Sequence, residues 1–339
     1  MADHFGLDIG SDTIKIVQLE QRKNSAVLVA AGVARNPLGS LNFDDEKGIV
    51  AIAEAIKKLK AEARVTTNLV VAALPERNIF SQIIELPKME GDELSKAIPW
   101  EAENIIPQPI SEVNLDWKII EGEESKKNNK VKILLIAAPS ALVSKYQQVL
   151  KLADLATLSL ETEGLAIVRC LKKQINEGDI ALVNMGAKSL DIILVNQGNL
   201  FLSRQLPSAG EAITRTVSNT LGLDLAVAEE YKKTYGLSPQ LEGKVEAAIK
   251  PILSVIADEI KKALHFYEEK NKANPRMMVI FGGTALLPGI IEYFAKTLGL
   301  EVQIADPLTL VFNDQPNLQS FRAISPLLTV ACGLAMKEK

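Results

Sequence analysis

The chain has 339 residues, 47% hydrophobic and 24% charged, and its 38 basic and 42 acidic side chains leave a net charge of −4. That length suggests two domains or subdomain groups with sizeable cores, and the charge supplies no basic stripe for nucleic acid. Two histidines exclude a histidine-rich metal site, and Cys170 and Cys332, far apart among apolar neighbours, read as buried thiols.

The first residues lack the basic and apolar regions of a signal peptide. The longest apolar stretch, 133–143, is interrupted by Pro139 and Ser140 and falls short of the roughly 20 residues that span a bilayer. A cytoplasmic protein is expected. Residues 5–9 and 14–18 read as strands around a turn at Gly10, with a third strand over 26–34. An amphipathic helix over 46–63 places Ile49, Ile52, Ala53, Ile56 and Leu59 on one face. Strands follow at 68–74 and 80–86, then a helix over 91–103 disturbed by Pro99. A strand at 113–120, a charged connection over 121–130 and a partner strand at 131–138 lead to a helix over 140–153. A short strand at 158–160 precedes a helix over 163–173. Strands at 180–185 and 190–195 flank Gly186, and 198–206 continues the ladder. Residues 210–272 are mostly helical. A buried strand at 276–282, a helix over 287–298 with Pro288 in its first turn, a strand at 302–305 and a helix over 325–337 complete the pattern.

An internal repeat carries the functional reading. Residues 7–17 (LDIGSDTIKIV) match 183–193 (VNMGAKSLDII) in apolar, polar and glycine positions, at an offset of 176 residues. Each copy is strand, glycine turn, strand. Glycine permits the tight reversal, the turn amides can cradle phosphate oxygens, and the carboxylate or carboxamide ending the first strand can face a hydrated cation. One copy alone is equally an ordinary hairpin; two copies half a chain apart point to hairpins gripping a polyphosphate from both sides. A third element, residues 279–285, runs a buried strand into Gly282-Gly283, where missing Cβ atoms would let the backbone approach a base or ribose.

These elements, in this order, resemble the actin-like ATPase superfamily shared with Hsp70 chaperones and sugar kinases. The resemblance implies an α/β, duplicated ribonuclease H-like fold, two lobes flanking a nucleotide cleft. Asp8, Gly10, Ser11, Asp12, Thr13 and Lys15 are similar to its first phosphate motif, with Asp8 toward Mg2+. Asn184, Gly186, Ala187, Lys188 and Ser189 fall where its second phosphate motif lies. Gly282, Gly283 and Thr284 fall in its adenosine motif, and Glu229 and Lys232, with Gly210, in its ribose and base contacts. Glu161 lies where some members orient the attacking water. Asp191 and Lys188 themselves read as solvated strand-edge charges.

Within the superfamily the chain resembles the PilM family of type IV pilus assembly proteins over essentially its whole length. The most specific stretches are 80–87, 94–107 and 112–117, similar to a small inserted α+β subdomain that is shared in outline with the cell-division protein FtsA. The implied organisation is a first lobe of 1–78 completed by 152–177 and 318–339, an insert of 79–151, and a second lobe of 178–317 with a helical subdomain at about 210–275. The implied ligands are ATP with Mg2+, and the implied partner is the N-terminal cytoplasmic peptide of the inner-membrane protein PilN, in a groove beside the insert. Phe80, Ile83, Ile98 and Ile105 are apolar candidates for that groove and equally candidates for the core of the insert. Asn184 stands where the second motif usually has aspartate, so ATP binding with weak hydrolysis is expected. FtsA-like proteins carry a terminal amphipathic helix for the membrane interface; this sequence stops directly after the 325–337 helix, so recruitment through a partner is expected. A small-molecule kinase of the superfamily would need a further base in a glycine-flanked loop, and a polymer-forming division protein is the other alternative.

Overall fold

The computed structural model describes residues 4–22, 25–40, 45–89, 91–120, 130–175, 178–207, 209–309, 311–312 and 320–338. The alternating apolar positions around Gly10 form an antiparallel hairpin of β1 (Phe5–Ile9) and β2 (Thr13–Arg22), extended by antiparallel β3 (Ser25–Arg35). On the far side of β1, β4 (Leu69–Leu74) and β8 (Ala156–Thr162) add in parallel. The run Val70 to Leu74 is apolar on both faces because helices cover both. A two-residue strand that the sequence did not reveal, β14 (Val311–Phe312), pairs with the outer edge of β3.

The second copy repeats this plan. β9 (Ile180–Met185), β10 (Leu190–Asn196) and β11 (Asn199–Leu206) form an antiparallel meander, and β12 (Met277–Phe281) and β13 (Glu301–Ile304) add in parallel beyond β9. The strand order β11-β10-β9-β12-β13 matches β3-β2-β1-β4-β8 in both sequence and sense of pairing. The repeat read in eleven residues is therefore a repeat of whole sheets.

Helices cover these sheets. α1 (Glu46–Glu62) buries the five expected apolar residues, and Asp45 caps it by accepting from the Gly48 N–H at 2.7 Å. Between β4 and β8 the chain leaves the first sheet to build the antiparallel sheet β5-β7-β6, from β5 (Phe80–Pro87), β6 (Val113–Ile120) and β7 (Lys130–Pro139). α2 (Gly91–Ile105) packs on one face of it, and α3 (Ser140–Leu152) leads back. α4 (Glu163–Ile175) follows β8. The helical part of the second half comprises α5 (Gly210–Leu221), α6 (Leu225–Tyr235) and α7 (Lys244–Asn271), and α8 (Ile290–Leu298) and α9 (Thr329–Ala335) come last.

Three expectations need correction. Pro99 does not interrupt α2, because Leu94, Ile98 and Ala102 hold one continuous face in the insert core. The helix expected from 287 begins at Ile290: Leu287 is extended, and Pro288-Gly289 forms a turn in which Gly289 has φ +79°. The helix expected over 325–337 is a 3₁₀ turn, Ser325–Leu328, followed by α9. Most of the charged connection expected over 121–130 lies outside the described residues.

One apolar cluster joins the two sheets through α4 and α9. It takes Val17 and Val71 from the first sheet, Leu182 and Phe281 from the second, Ala166 and Ile167 from α4, and Leu334 from α9. Helix α9 is wedged so tightly that a Cβ on Gly333 would stand 1.9 Å from the Ala166 carbonyl oxygen, and one on Gly6 2.1 Å from that of Ala331. The same crossing brings the Cys170 and Cys332 thiols together, both buried, and burial followed by the neighbouring thiol pushes Cys170 well up. Since backbone cannot yield as a flexible side chain does, Gly333→Ala should cost about 3 kcal/mol of folding stability, at the upper end of overpacking. Urea unfolding with the two-state slope unchanged checks this; an unaltered midpoint would show that the wedge has slack.

Candidate functional site

The twin hairpins have the same geometry. The Gly10 N–H donates to the Thr13 carbonyl at 3.0 Å, and the Gly186 N–H donates to the Ser189 carbonyl at 3.0 Å. Across the first hairpin Asp8 faces Lys15, and Lys15 Nζ meets Asp8 Oδ2 at 2.9 Å. Across the second, Asn184 faces Asp191, and Asn184 Nδ2 donates to Asp191 Oδ2 at 3.0 Å. The polar pair is kept while the acid moves from the first strand to the second. Asp191 is buried and is also held by Gln205, so it is no solvated edge charge; that expectation is overturned. Lys188 is half exposed and reaches across to the Gly39 carbonyl of the first half.

The two hairpins come close enough for Asp8 to act on Asp191 and for Lys188 to reach Gly39, and the ground between them is acidic. Desolvation pushes Asp191 up to about 6, against hydrogen bonds from Gln205 and Asn184, and the Asp8 charge adds to the rise. Glu163, at the start of α4, is raised well above the usual range by desolvation and then by Asp191, Asp8 and Glu76. Glu76 is buried and pushed up to about 7, mainly by desolvation, with the Gly164 N–H opposing and Asp191 reinforcing the shift. The turn residues Ser11, Asp12, Ala187, Lys188 and Ser189 keep solvent access above this floor.

On the second half, further expected residues converge on Gly210. The first amides of α5 dock on the second hairpin: Gly210 N–H donates to the Gly186 carbonyl at 3.1 Å and Glu211 N–H to that of Ala187 at 2.7 Å. Thr284 Oγ1 also donates to the Gly186 carbonyl, at 3.2 Å. Lys232 is buried and uses its three donors on the Gly210 carbonyl (3.1 Å), Thr214 Oγ1 (2.9 Å) and Glu229 (2.6 Å). It clamps α5 to α6, which leaves Glu229 as the group of that pair facing solvent. Gly282 lacks a Cβ for a reason other than ligand approach: with φ +87°, a Cβ there would lie 2.6 Å from Asn184 Oδ1. Gly283 has open space at its Cβ position, and Gly283–Leu286 is a 3₁₀ turn with no α-helix N-terminus of its own.

The family model described as type IV pilus assembly protein PilM matches residues 6–339. The chain belongs to the PilM family. It is similar to a solved structure described as a PilM-PilN type IV pilus biogenesis complex, with TM-score 0.86 and 28% identity over 98% of each chain. It is also similar to MreB5 of Spiroplasma citri bound to AMPPNP, with TM-score 0.53 and 14% identity over 97% of this chain and 94% of that one. Among curated proteins, the cell division protein FtsA of Streptococcus pneumoniae is 20% identical over 350 residues, 89% of this chain and 75% of FtsA. The fold is that of the actin-like ATPases, which the duplicated sheets already indicated.

Two groups of PilM-family expectations change in position. Glu161 is drawn away from the crevice: Arg169 binds both its oxygens at 2.6 and 2.9 Å, and Lys337 Nζ reaches Oε2 at 2.9 Å. Burial alone would raise this carboxyl, but those cations hold it below the usual range. The acid beside Asp8 and Asp191 is Glu163, two residues later; its place at the first residue of a helix after a strand was the available signal. The four groove candidates do not line one groove. Ile98 is fully buried in the insert core, where Phe80 and Ile105 pack at its edge. Ile83 lies on the opposite sheet face, with Ile120 and Ile136, at the edge of the apolar cluster that joins the two large sheets.

The acidic floor sets a pH dependence. Glu76 moves from a usual 4.5 to about 7 in the fold, so its contribution to stability is fully present below pH 4.5 and lost as pH rises through 7. At 1.36 kcal/mol per unit this amounts to roughly 3 kcal/mol. Without nucleotide, urea unfolding should give higher stability at pH 5 than at pH 8, and Glu76→Gln should reduce the difference, Asp191 and Glu163 keeping the remainder. A flat wild-type profile would mean the floor is already neutralised.

Proposed function

We propose that this chain is an ATP-binding scaffold of the type IV pilus inner-membrane assembly platform, peripheral at the cytoplasmic side, holding the N-terminal peptide of a PilN-type protein and linking it to the motor. The observation that supports the nucleotide part is the pair of matching hairpins, whose acids Asp8 and Asp191 lie close enough to act on one another. Family membership and the likeness to a PilM-PilN complex support the partner. No helix among the described residues is long and apolar enough to cross a membrane, which suits attachment through that partner. The proposed units are 1–78 with 152–177 and 318–339, the insert 79–151, and 178–317.

The residues present fit ATP with Mg2+. The turns at Ser11-Asp12 and Ala187-Lys188 are open to solvent, and Asp8, Asp191 and Glu163 face them with one compensating lysine, Lys15. Among the described residues no group of three or more acids, histidines or cysteines could hold a metal directly. The cation would therefore keep waters and phosphate oxygens as ligands, as Mg2+ commonly does. Bound there, ATP supplies an electrophilic terminal phosphate; Asp8 and Asp191 would orient the hydrated cation, and Glu163 would position a water. Asn184, being an amide, adds no base. Asp8→Asn should lower Mg2+-dependent ATP affinity at least about tenfold, or 1.4 kcal/mol, by titration calorimetry. Wild-type single-turnover hydrolysis should be slow and faster in Asn184→Asp; rapid wild-type turnover would remove the scaffold reading.

The peptide would lie on the Ile83 face of the insert, where Ile83, Ile120 and Ile136 are half-buried at the edge of the apolar cluster joining the two large sheets. Ile83→Asp should weaken binding of a PilN-type N-terminal peptide more than about tenfold, because a carboxylate would be desolvated there, with ATP affinity retained. Undiminished peptide binding by that variant would move the groove elsewhere.

A further inference from the structure

At the root of the insert, between β5 and β11, lies a cavity of about 330 Å3 bounded by Glu76, Arg77, Ile79, Phe80, Ser81, Ser203 and Gln205. Its floor is polar and short of partners. Among the described residues the buried Glu76 carboxylate takes one hydrogen bond, from the Gly164 N–H to Oε2 at 3.2 Å, where a carboxylate can accept about four. Beside it stands the buried Ser203 Oγ, which makes no hydrogen bond of good geometry but lies close enough to Glu76 to oppose the rise of its carboxyl. Such atoms in a native fold call for a missing partner.

The chemistry of that partner follows from the charges. Asp191 and Glu163 both act on Glu76 through space, so the field at the floor is negative. Arg77 is exposed at the rim, its Nε donates to Asn78 Oδ1 at 3.2 Å, and its charge is not among those that shift Glu76. Gln205 uses one of its two amide N–H groups on Asp191, and its carbonyl oxygen stays available as an acceptor. The Phe80 ring offers a face suited to a cation. The volume far exceeds that of a dehydrated metal ion, which would also want more oxygen ligands than one carboxylate.

We propose that this cavity binds an organic cation, a primary ammonium or guanidinium group, which donates to Glu76 and Ser203 and lays its apolar stem along Phe80 and Ile79. The site is separate from the nucleotide crevice, with Asp191 between them, held by Asn184 on one side and Gln205 on the other. An occupant would bridge the insert to the second sheet. Its source is either a free amine or a basic side chain of a bound segment, and the two arms of one experiment separate these.

Titration calorimetry on the full chain uses n-butylammonium and methylguanidinium as free probes, a short neutral peptide carrying one lysine as the tethered probe, and n-pentanol and potassium chloride as controls. Saturable binding of either cationic class, absent for both controls, is expected. Affinity should fall at least tenfold in Glu76→Gln and also fall in Ser203→Val, which leaves every charge in place. It should rise from pH 6 to pH 8 as Glu76 ionises, with Asp191, Glu163 and Arg77 facing it. Free-probe binding assigns a metabolite, and peptide binding alone assigns a partner's side chain. No saturable binding by either class, equal binding of the pentanol or potassium, or affinity unchanged in the variants overturns the proposal. Should Glu76→Gln fail to fold, Ser203→Val decides alone.

Discussion

The structure depends on bringing two carboxylates, Asp8 and Asp191, into one crevice from opposite halves of the chain. Each is buried, and each raises the energy of ionising the acids around it. Such an arrangement opposes closure of the two halves unless something offsets it. Lys15 offsets it for Asp8 as a cation. Asn184 and Gln205 offset it for Asp191 as amide donors, which stabilise a carboxylate without cancelling its charge. The crevice thus keeps an uncompensated negative field inside an otherwise well-packed seam, held shut by the apolar cluster under α4 and α9. A field of that sign at the meeting of two hairpin turns favours a hydrated cation carrying a polyphosphate.

The duplicated halves have diverged in what they do with the same scaffold. In the second half the carbonyls of the hairpin turn receive the amides of α5 and the hydroxyl of Thr284, and Lys232 locks α5 to α6. In the first half that position is used otherwise: Asn36 Nδ2 donates to the Gly10 carbonyl at 2.8 Å. One turn is therefore fastened to a helical layer and the other to a neighbouring loop.

Much of this was legible in the sequence, for identifiable reasons. Strands with strict apolar patterning, such as β1, β9 and β6, have the expected limits because periodicity alone defines them. The pairing of Gly10 with Gly186 followed from the repeat. What escaped were features set by partners distant in sequence. Asp191 reads as an edge charge until β11 is placed beside it with Gln205. Glu161 and Glu163 differ only in which side of β8 and α4 they face, and the cations that claim Glu161 come from Arg169 and from Lys337, 176 residues away. Ile98 reads equally as groove or as insert core until α2 is laid on the insert sheet, which buries it. Pro288-Gly289 breaks a helical pattern through a backbone turn, not through hydropathy, and Pro99 is tolerated because packing outweighs one missing hydrogen bond.

The wedge formed by α9 has a bearing on biosynthesis. His4 and Gly6 of the opening strand rest on Leu334 and Ala331, contacts that span as many as 330 residues. A nascent chain emerging from the ribosome can assemble the second sheet with α5 to α8 from contiguous segments, whereas the opening sheet must wait, one apolar face uncovered, until α9 has been made. Interfaces of such separation form slowly and leave sticky surface exposed meanwhile. The molecule's vulnerability to misassembly is therefore concentrated in the sheet that waits for α9.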